Sequence, residues 1–387
     1  MPALETFMQQ RSSCESIWID ALCVPPAEPE RTETLQSMGR IYAGADEVMV
    51  VLSAAALPAL TRMINSTYPA VDDLAVLERE DWVSRAWTYQ EAVNSKSLSL
   101  SCEGDASVSV PANKFFSHVS HALVKHASPW PNKLHDFPRL NAFEDIMADF
   151  YTAAYNERAA LNVMSNMDRR VQERKEDHFY AMIGAITAEP PVAAVQLPPC
   201  EAFMRVCESK GDFSFIFSAA RREDTPGRRW RPVHGDLPSI LPWHICGSGQ
   251  PGRLGDHALL LDHMLVVRPA QPQQEAESFI QQWLVAFWEG HKLVQENLEE
   301  AAYTALGVLG FAGSSHCVTC AEGYFFPFER VAGKQVVEIL VSTALEWRMG
   351  APGLLSYKEK DEERNKYTAG VFVGSVDKQS ATTVRVG

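Results

Sequence analysis

The sequence predicts an α/β fold with a parallel sheet and flanking helices over its first part, then a helical region, then a mixed α+β C-terminal part. Three observations carry this prediction. Between Ser16 and Cys102 short apolar runs alternate with helical stretches, the pattern of βαβ units. From Pro111 to about Ile186 strand signals fade and amphipathic spacing takes over. Beyond Gly323 β-like runs return. The chain has 387 residues, which at about 150 residues per domain suits two or three domains. The shifts in pattern divide it into 1–110 (α/β), 111–250 (helical and loop-rich) and 251–387 (mixed α+β).

Taken in order, Ser16 to Cys23 reads as a buried strand that ends at Pro25-Pro26. A helix comes next, from about Glu30 to Ala45, with Leu35, Met38, Ile41, Tyr42 and Ala45 on one face at spacings of three and four. Val48 to Leu52 is the next strand, and a helix joining two parallel strands crosses over right-handedly. A helix from Trp82 to Val93 sits behind Asp81, a candidate N-cap, and the alternating Ser97 to Cys102 forms the strand after it. In the helical region Phe143, Ile146, Met147, Phe150 and Tyr151 share a face. Pro190 to Arg253 is rich in Pro and Gly and contains the apolar piece Phe213 to Phe217, so loops and edge strands are expected there. Helix returns from about Glu275 to Leu309. Strand-like runs lie at Gly323–Phe328, Val336–Val341 and Gly370–Val376, with the charged Lys358–Lys366 as a solvated helix or loop.

Composition excludes several classes. Hydrophobic residues make up 46% and charged ones 22%, which is ordinary globular usage. Lys plus Arg number 35 against 49 Asp plus Glu, a net charge of −14. An acidic surface of that size repels phosphate backbones and anionic lipid, so nucleic acid is not an expected partner. The first ten residues lack the basic start and continuous apolar stretch of a secretory signal. The longest apolar run, Val48 to Leu60, is broken by Ser53 and Pro58 and is too short for a membrane span. A cytoplasmic protein is expected. The eight cysteines are too sparse for a disulfide framework and read as reduced thiols.

Two stretches are more specific than propensity. Trp18-Ile19-Asp20-Ala21-Leu22-Cys23, with Glu30-Arg31, Gln36, Met38, Ile41-Tyr42, Ala45 and Val48 to Leu52 after it, resembles the central block of the fungal heterokaryon-incompatibility (HET) domain family. Asp81-Trp82-Val83-Ser84-Arg85-Ala86-Trp87-Thr88-Tyr89-Gln90-Glu91 is similar to that family's tryptophan–arginine–tryptophan–glutamine–glutamate block, in the right order and at the right spacing. Asp177 to Gly184 and Leu237 to Trp243 resemble segments commonly found downstream in the same family. The resemblance is firm over about 14–105 and looser to about 245. The family's first block, a tyrosine–leucine–serine–tyrosine strand expected ahead of residue 14, has no counterpart. Where the family continues with cysteine–isoleucine–asparagine–glutamine, this chain reads Cys23-Val24-Pro25-Pro26.

The resemblance implies a remote relation to the TIR fold, a flavodoxin-like sheet associated with innate-immune effectors, and ligands at the carboxyl ends of its strands. In NAD-cleaving TIR domains the catalytic glutamate lies four residues after a helix tryptophan. Glu91 stands in that relation to Trp87. The analogy makes Glu91 and Asp20 the candidate catalytic residues, with Trp87 and Arg85 as candidate ligand-binding ones. A carboxylate could stabilise the charge that develops on ribose as nicotinamide leaves, an indole could form a stacking wall, and an arginine could pair a phosphate or a carboxylate. NAD enters as a substrate, and no resident cofactor is firmly implied. Each residue also has a structural alternative: Asp20 as a helix-capping carboxylate, Trp82 as core, Glu91 as a surface or Arg85-paired side chain.

Other motifs carry less. Gly247-Ser248-Gly249-Gln250-Pro251-Gly252 has dinucleotide-loop spacing, but Pro251 and the adjoining Arg253-Leu254-Gly255 do not open a helix. His316-Cys317-Val318-Thr319-Cys320 has metal-type ligands without a second cysteine pair, so no metal is expected. Arg228-Arg229-Trp230-Arg231 reads as a basic patch used within the molecule. The expected function is that of a fungal HET protein in non-self recognition and programmed cell death, with two mechanisms open: TIR-like NAD cleavage through Glu91, or toxicity through assembly. The alternative is a non-catalytic interaction or regulatory scaffold built on a degenerate HET module. Protein partners or self-association suit either reading.

Overall fold

The computed structural model describes residues 2–11, 14–126, 135–143, 146, 158–187, 197–242, 246–256, 258–288, 297–360 and 364–387. In chain order the elements are α1 (Pro2–Gln10), α2 (Asp20–Cys23), α3 (Glu30–Gly44), β1 (Val48–Leu52), α4 (Leu57–Ile64), α5 (Val71–Leu77), α6 (Asp81–Ser84), α7 (Trp87–Asn94), β2 (Leu98–Cys102), β3 (Asp105–Pro111), α8 (Ala112–His126), α9 (Ala160–Met167), α10 (Lys175–Ile186), α11 (Pro199–Lys210), β4 (Gly252–Leu254), β5 (Leu259–Val267), α12 (Gln274–Phe287), α13 (Leu298–Val308), β6 (Val318–Cys320), β7 (Gly323–Pro327), β8 (Gln335–Ser342), β9 (Gly350–Lys358), β10 (Lys366–Gly374) and β11 (Thr382–Val386). Two compact units result: Met1–Tyr155 with Arg169–Phe203, and Asn156–Asp168 with Met204–Gly387.

The first unit is mixed α/β, but a flavodoxin-like parallel sheet is present only in part. Its sheet has the order β1-β2-β3; β1 and β2 pair in parallel from Val48↔Leu98 to Leu52↔Cys102, and β3 returns antiparallel to β2. The expected strand at 16–23 is absent. Ser16 and Ile17 are exposed and Asp20–Cys23 is a single helical turn. The reason lies in Asp20. Inside a buried strand its carboxylate would lose water without compensation, whereas at the first position of α2 it stays partly exposed at a positive helix end. The space along the sheet is taken by α1, whose Gln10 Nε2 donates to Ser101 Oγ (2.8 Å) and to the Val108 carbonyl (2.9 Å).

The expected helix 82–93 is two helices. Arg85 is extended (φ −75°, ψ 145°); Ala86 N–H donates to the Val171 carbonyl (3.0 Å) and Val171 N–H to that of Ser84 (2.8 Å). These bonds replace the intrahelical ones at the break. Asp81 is the first helical residue rather than the cap. Glu80 holds the cap position, with its carboxylate turned to Ser53 N (3.0 Å) and Oγ (2.6 Å).

Helices α3, α7 and α10 pack together, with Leu35, Met38 and Tyr42 of α3 buried as its periodicity predicts. Two glycines permit the close approach. A Cβ on Gly39 would strike the Gly184 backbone, and one on Gly184 would strike Gln90 Oε1. Asn94 Nδ2 donates to the Gly184 carbonyl (2.8 Å). The fully buried Gln90 amide has no hydrogen-bond partner among the described residues. In the helical region Phe143 and Ile146 are buried and helical, while Met147, Phe150 and Tyr151 lie outside the described residues.

The second unit is built on an eight-stranded antiparallel sheet of order β11-β5-β8-β9-β10-β7-β6, with β4 on β5. Leu265, Val267, Phe325, Ile339, Val341, Leu355 and Phe372 form its core cluster. The Phe213–Phe217 piece is not an edge strand but a fully buried 3-10 turn, Ser214–Phe217. Asp212 shapes it by accepting from the N–H groups of Ser214 (2.9 Å), Gln250 (2.9 Å) and Ala160 (2.7 Å). The Gly247–Gly252 stretch leads into β4 rather than a helix. The basic patch is used internally, as its composition suggests. Arg231, 1% exposed, lies 3.0 Å from Glu208 and 3.3 Å from Glu223, and Arg228 is 3.1 Å from Glu223.

The crossing at Gly184 yields a stability test. Gly184→Ala should destabilise the first unit by about 1–3 kcal/mol through overpacking, read as a lower urea midpoint. Gln90→Met, which removes an unpaired buried amide at similar volume, should cost nothing measurable or raise the midpoint.

Candidate functional site

The first unit gathers polar groups where α2, α3, α6 and α7 meet. Tyr42, in the last turn of α3, donates its hydroxyl to Glu91 Oε1 (3.3 Å), and Trp82 Nε1 of α6 donates to Glu91 Oε2 (3.0 Å). Ser95 Oγ donates to the backbone carbonyl of Glu91. The Trp82 ring rests on Phe143, centroids 5.1 Å apart. Trp18 meets Tyr42 edge-on at 5.5 Å and 84°. Arg85 Nη2 stands 3.9 Å from Asp20 Oδ2, the two side chains 50% and 33% exposed.

Three of the four sequence-proposed residues therefore lie in one cluster: Glu91, Asp20 and Arg85 interact electrostatically. Trp87 faces elsewhere. It is buried, and its indole bonds the Asp177 carboxyl, which Arg31 Nη2 approaches to 3.6 Å. The indole that touches Glu91 is Trp82's. Sequence reasoning missed Tyr42 and Trp82 as site residues because Tyr42 fits the apolar face of α3 and Trp82 fits a core position. The available signal was a hydroxyl and an indole N–H among otherwise apolar neighbours, since buried Tyr and Trp polar atoms seek partners.

Burial dominates the electrostatics. Desolvation pushes the Glu91 carboxyl above its ordinary range; the Asp20 charge adds to this, while the Trp82 and Tyr42 bonds and Arg85 oppose it. Tyr42 is raised well above its usual value, first by burial and then by the charges of Glu91 and Asp20. Asp177 is raised by burial despite Trp87 and Arg31. Glu91 thus holds its proton more tightly than a solvated carboxyl does, beside the more open side chain of Asp20, and a buried acid of this kind can take up or release a proton or, once ionised, stabilise developing positive charge.

Elsewhere, burial raises Cys320 to about 12 and drives Cys317 higher still, so both thiols stay protonated near neutral pH. Among the described residues no group of three or more His, Cys, Asp or Glu side chains is placed to hold a metal. No helix among them is long and apolar enough to cross a membrane.

Compared with known proteins, residues 2–71 match the family described as heterokaryon incompatibility protein (HET). No curated protein and no solved structure matches the chain. The family match covers Trp18, Asp20 and Tyr42 and ends before α6.

The raised carboxyl has a signed consequence. Because folding lifts Glu91 above its ordinary 4.5, its favourable contribution is complete below that pH and is lost as the pH climbs through the folded value. Glu91→Gln, neutral throughout, should therefore gain stability relative to the parent as the pH rises from about 4.5 to 7, measured by urea unfolding. Asp20→Asn should shrink this pH dependence and Tyr42→Phe enlarge it. A pH-independent difference would mean that Glu91 titrates as a solvated residue.

Proposed function

We propose, on the premise that residues 2–71 are a segment of the heterokaryon-incompatibility family, that this protein acts in fungal non-self recognition and programmed cell death, with the Glu91 cluster as its working site. The family match supports the incompatibility role. The observation that carries the finer reading is the convergence of Asp20 and Arg85, both partly exposed, on the buried Glu91 carboxyl. In this reading the reaction is TIR-like cleavage of NAD. The carboxylates stabilise the positive charge that builds on the ribose as the bond to nicotinamide breaks. Arg85, half exposed, can leave Asp20 and pair a phosphate. Trp82, rather than Trp87, supplies the indole next to the reacting carboxyl.

One observation favours the non-catalytic scaffold. Both carboxyl oxygens of Glu91 already accept a hydrogen bond, so the group is anchored as a structural carboxylate would be.

Incubation of the full chain with NAD, with and without forced dimerisation, separates the two. Nicotinamide release should be lost in Glu91→Ala and retained in Glu33→Ala, an exposed residue of α3. If parent and Glu91→Ala are equally inert yet equally toxic on expression, the scaffold reading holds.

A further inference from the structure

The cluster around Glu91 contains a cation that it holds loosely. At 3.9 Å, with both side chains partly in water, the Arg85–Asp20 pair contributes little stability. The arginine's backbone, by contrast, is tied down. The Arg85 carbonyl accepts from Thr88 Oγ1 (2.7 Å) and Arg170 Nη1 (3.2 Å), and its neighbours bond to Val171. The side chain, half exposed and at 3.9 Å from its partner, is the less constrained part of the residue. Its electrostatic neighbours are two carboxyl groups, Asp20 and Glu91, and three aromatic side chains belong to the same cluster: Trp18 edge-on to Tyr42, Tyr42 bonded to one Glu91 oxygen and Trp82 to the other. Trp18, Asp20, Trp82 and Glu91 all keep part of their surface open to solvent.

We infer that this cluster binds a small organic cation of the quaternary-ammonium class and that the Arg85 side chain is the internal occupant which that cation displaces. The inference rests on reading the cluster as a working site, but not on any bond being cleaved there. Aromatic walls at right angles favour a cation with diffuse charge and weak hydration. A quaternary ammonium has no N–H to satisfy, which suits carboxyl oxygens already engaged by Tyr42 and Trp82. The two carboxylates supply the net negative field, and the departing guanidinium moves to water at small cost.

The probe is choline, titrated calorimetrically into the full chain at low ionic strength, beside its uncharged isostere in which a tert-butyl group replaces trimethylammonium. Choline should bind saturably and the isostere should not. Glu91→Gln and Asp20→Asn should each weaken choline by about tenfold. Arg85→Ala should tighten it by about threefold, because the competitor is gone; circular dichroism and melting confirm that each variant folds. Weaker choline binding in Arg85→Ala, equal binding of the isostere, or no binding by Arg85→Ala would overturn the inference. Choline binding without nicotinamide release would leave it standing while removing NAD cleavage, and release without choline binding would do the reverse.

Discussion

A carboxyl removed from water needs hydrogen-bond donors, and the way Glu91 obtains them organises the surrounding elements. Its donors come from Tyr42 on α3 and Trp82 on α6, segments far apart in sequence. Trp82 could not serve if residues 82–93 were one helix: nine residues at 1.5 Å rise would set it about 13 Å from Glu91 along the axis. The extended Arg85, tied to Val171, folds α6 back so that the indole reaches the carboxyl. The same break exposes the Arg85 side chain towards Asp20. Thus one backbone interruption yields both the anchored acid and a half-exposed cation beside it.

Beneath that cluster, the crossing of α3, α7 and α10 works by subtraction of side chains. Gly39 and Gly184 let the backbones approach, and the Gln90 amide fills what remains with no hydrogen bond of its own among the described residues. An unpaired buried amide costs about 1–3 kcal/mol, so the geometry of the crossing outweighs local polar satisfaction there. Since Gln90 and Glu91 are consecutive in α7, this packing also sets how α7 presents Glu91 to its donors.

The second unit uses a different economy of interactions. Its antiparallel sheet pairs most strands on both sides, and Pro352 falls one residue past the end of the β8–β9 pairing, where only β10 is a neighbour. The charges inside it are matched: Arg231 with Glu208 and Glu223, and Arg222 with the carbonyls of Ile216 (2.7 Å), Ser218 (2.8 Å) and Ala220 (2.7 Å). Burial lowers Arg222 to about 10, which still leaves it charged near neutral pH.

Elements whose own periodicity matched their environment were legible from residues alone: α3 from the apolar face at Leu35, Met38 and Tyr42, β1 from Val48 to Leu52, β8 and β10 from β-branched runs. The family resemblance at 16–52 was legible in the same way, because it resides in local order and spacing. What local sequence could not decide was anything settled by a distant partner. The apolar stretch at Ile17–Leu22 became a draped segment and a helical turn, since the cost of burying Asp20 exceeds the gain from one more strand. The 82–93 helix broke because Val171 competes for its backbone groups. β9, with Gly350, Pro352 and Gly353, became a strand only because β10, and β8 from Gly353 onward, lie beside it. Asp20, Arg85 and Glu91 could be named from sequence, but that Trp82 and not Trp87 reaches the carboxyl depended on the tertiary path of the chain. Hydrogen bonds between residues far apart in sequence leave no trace in spacing.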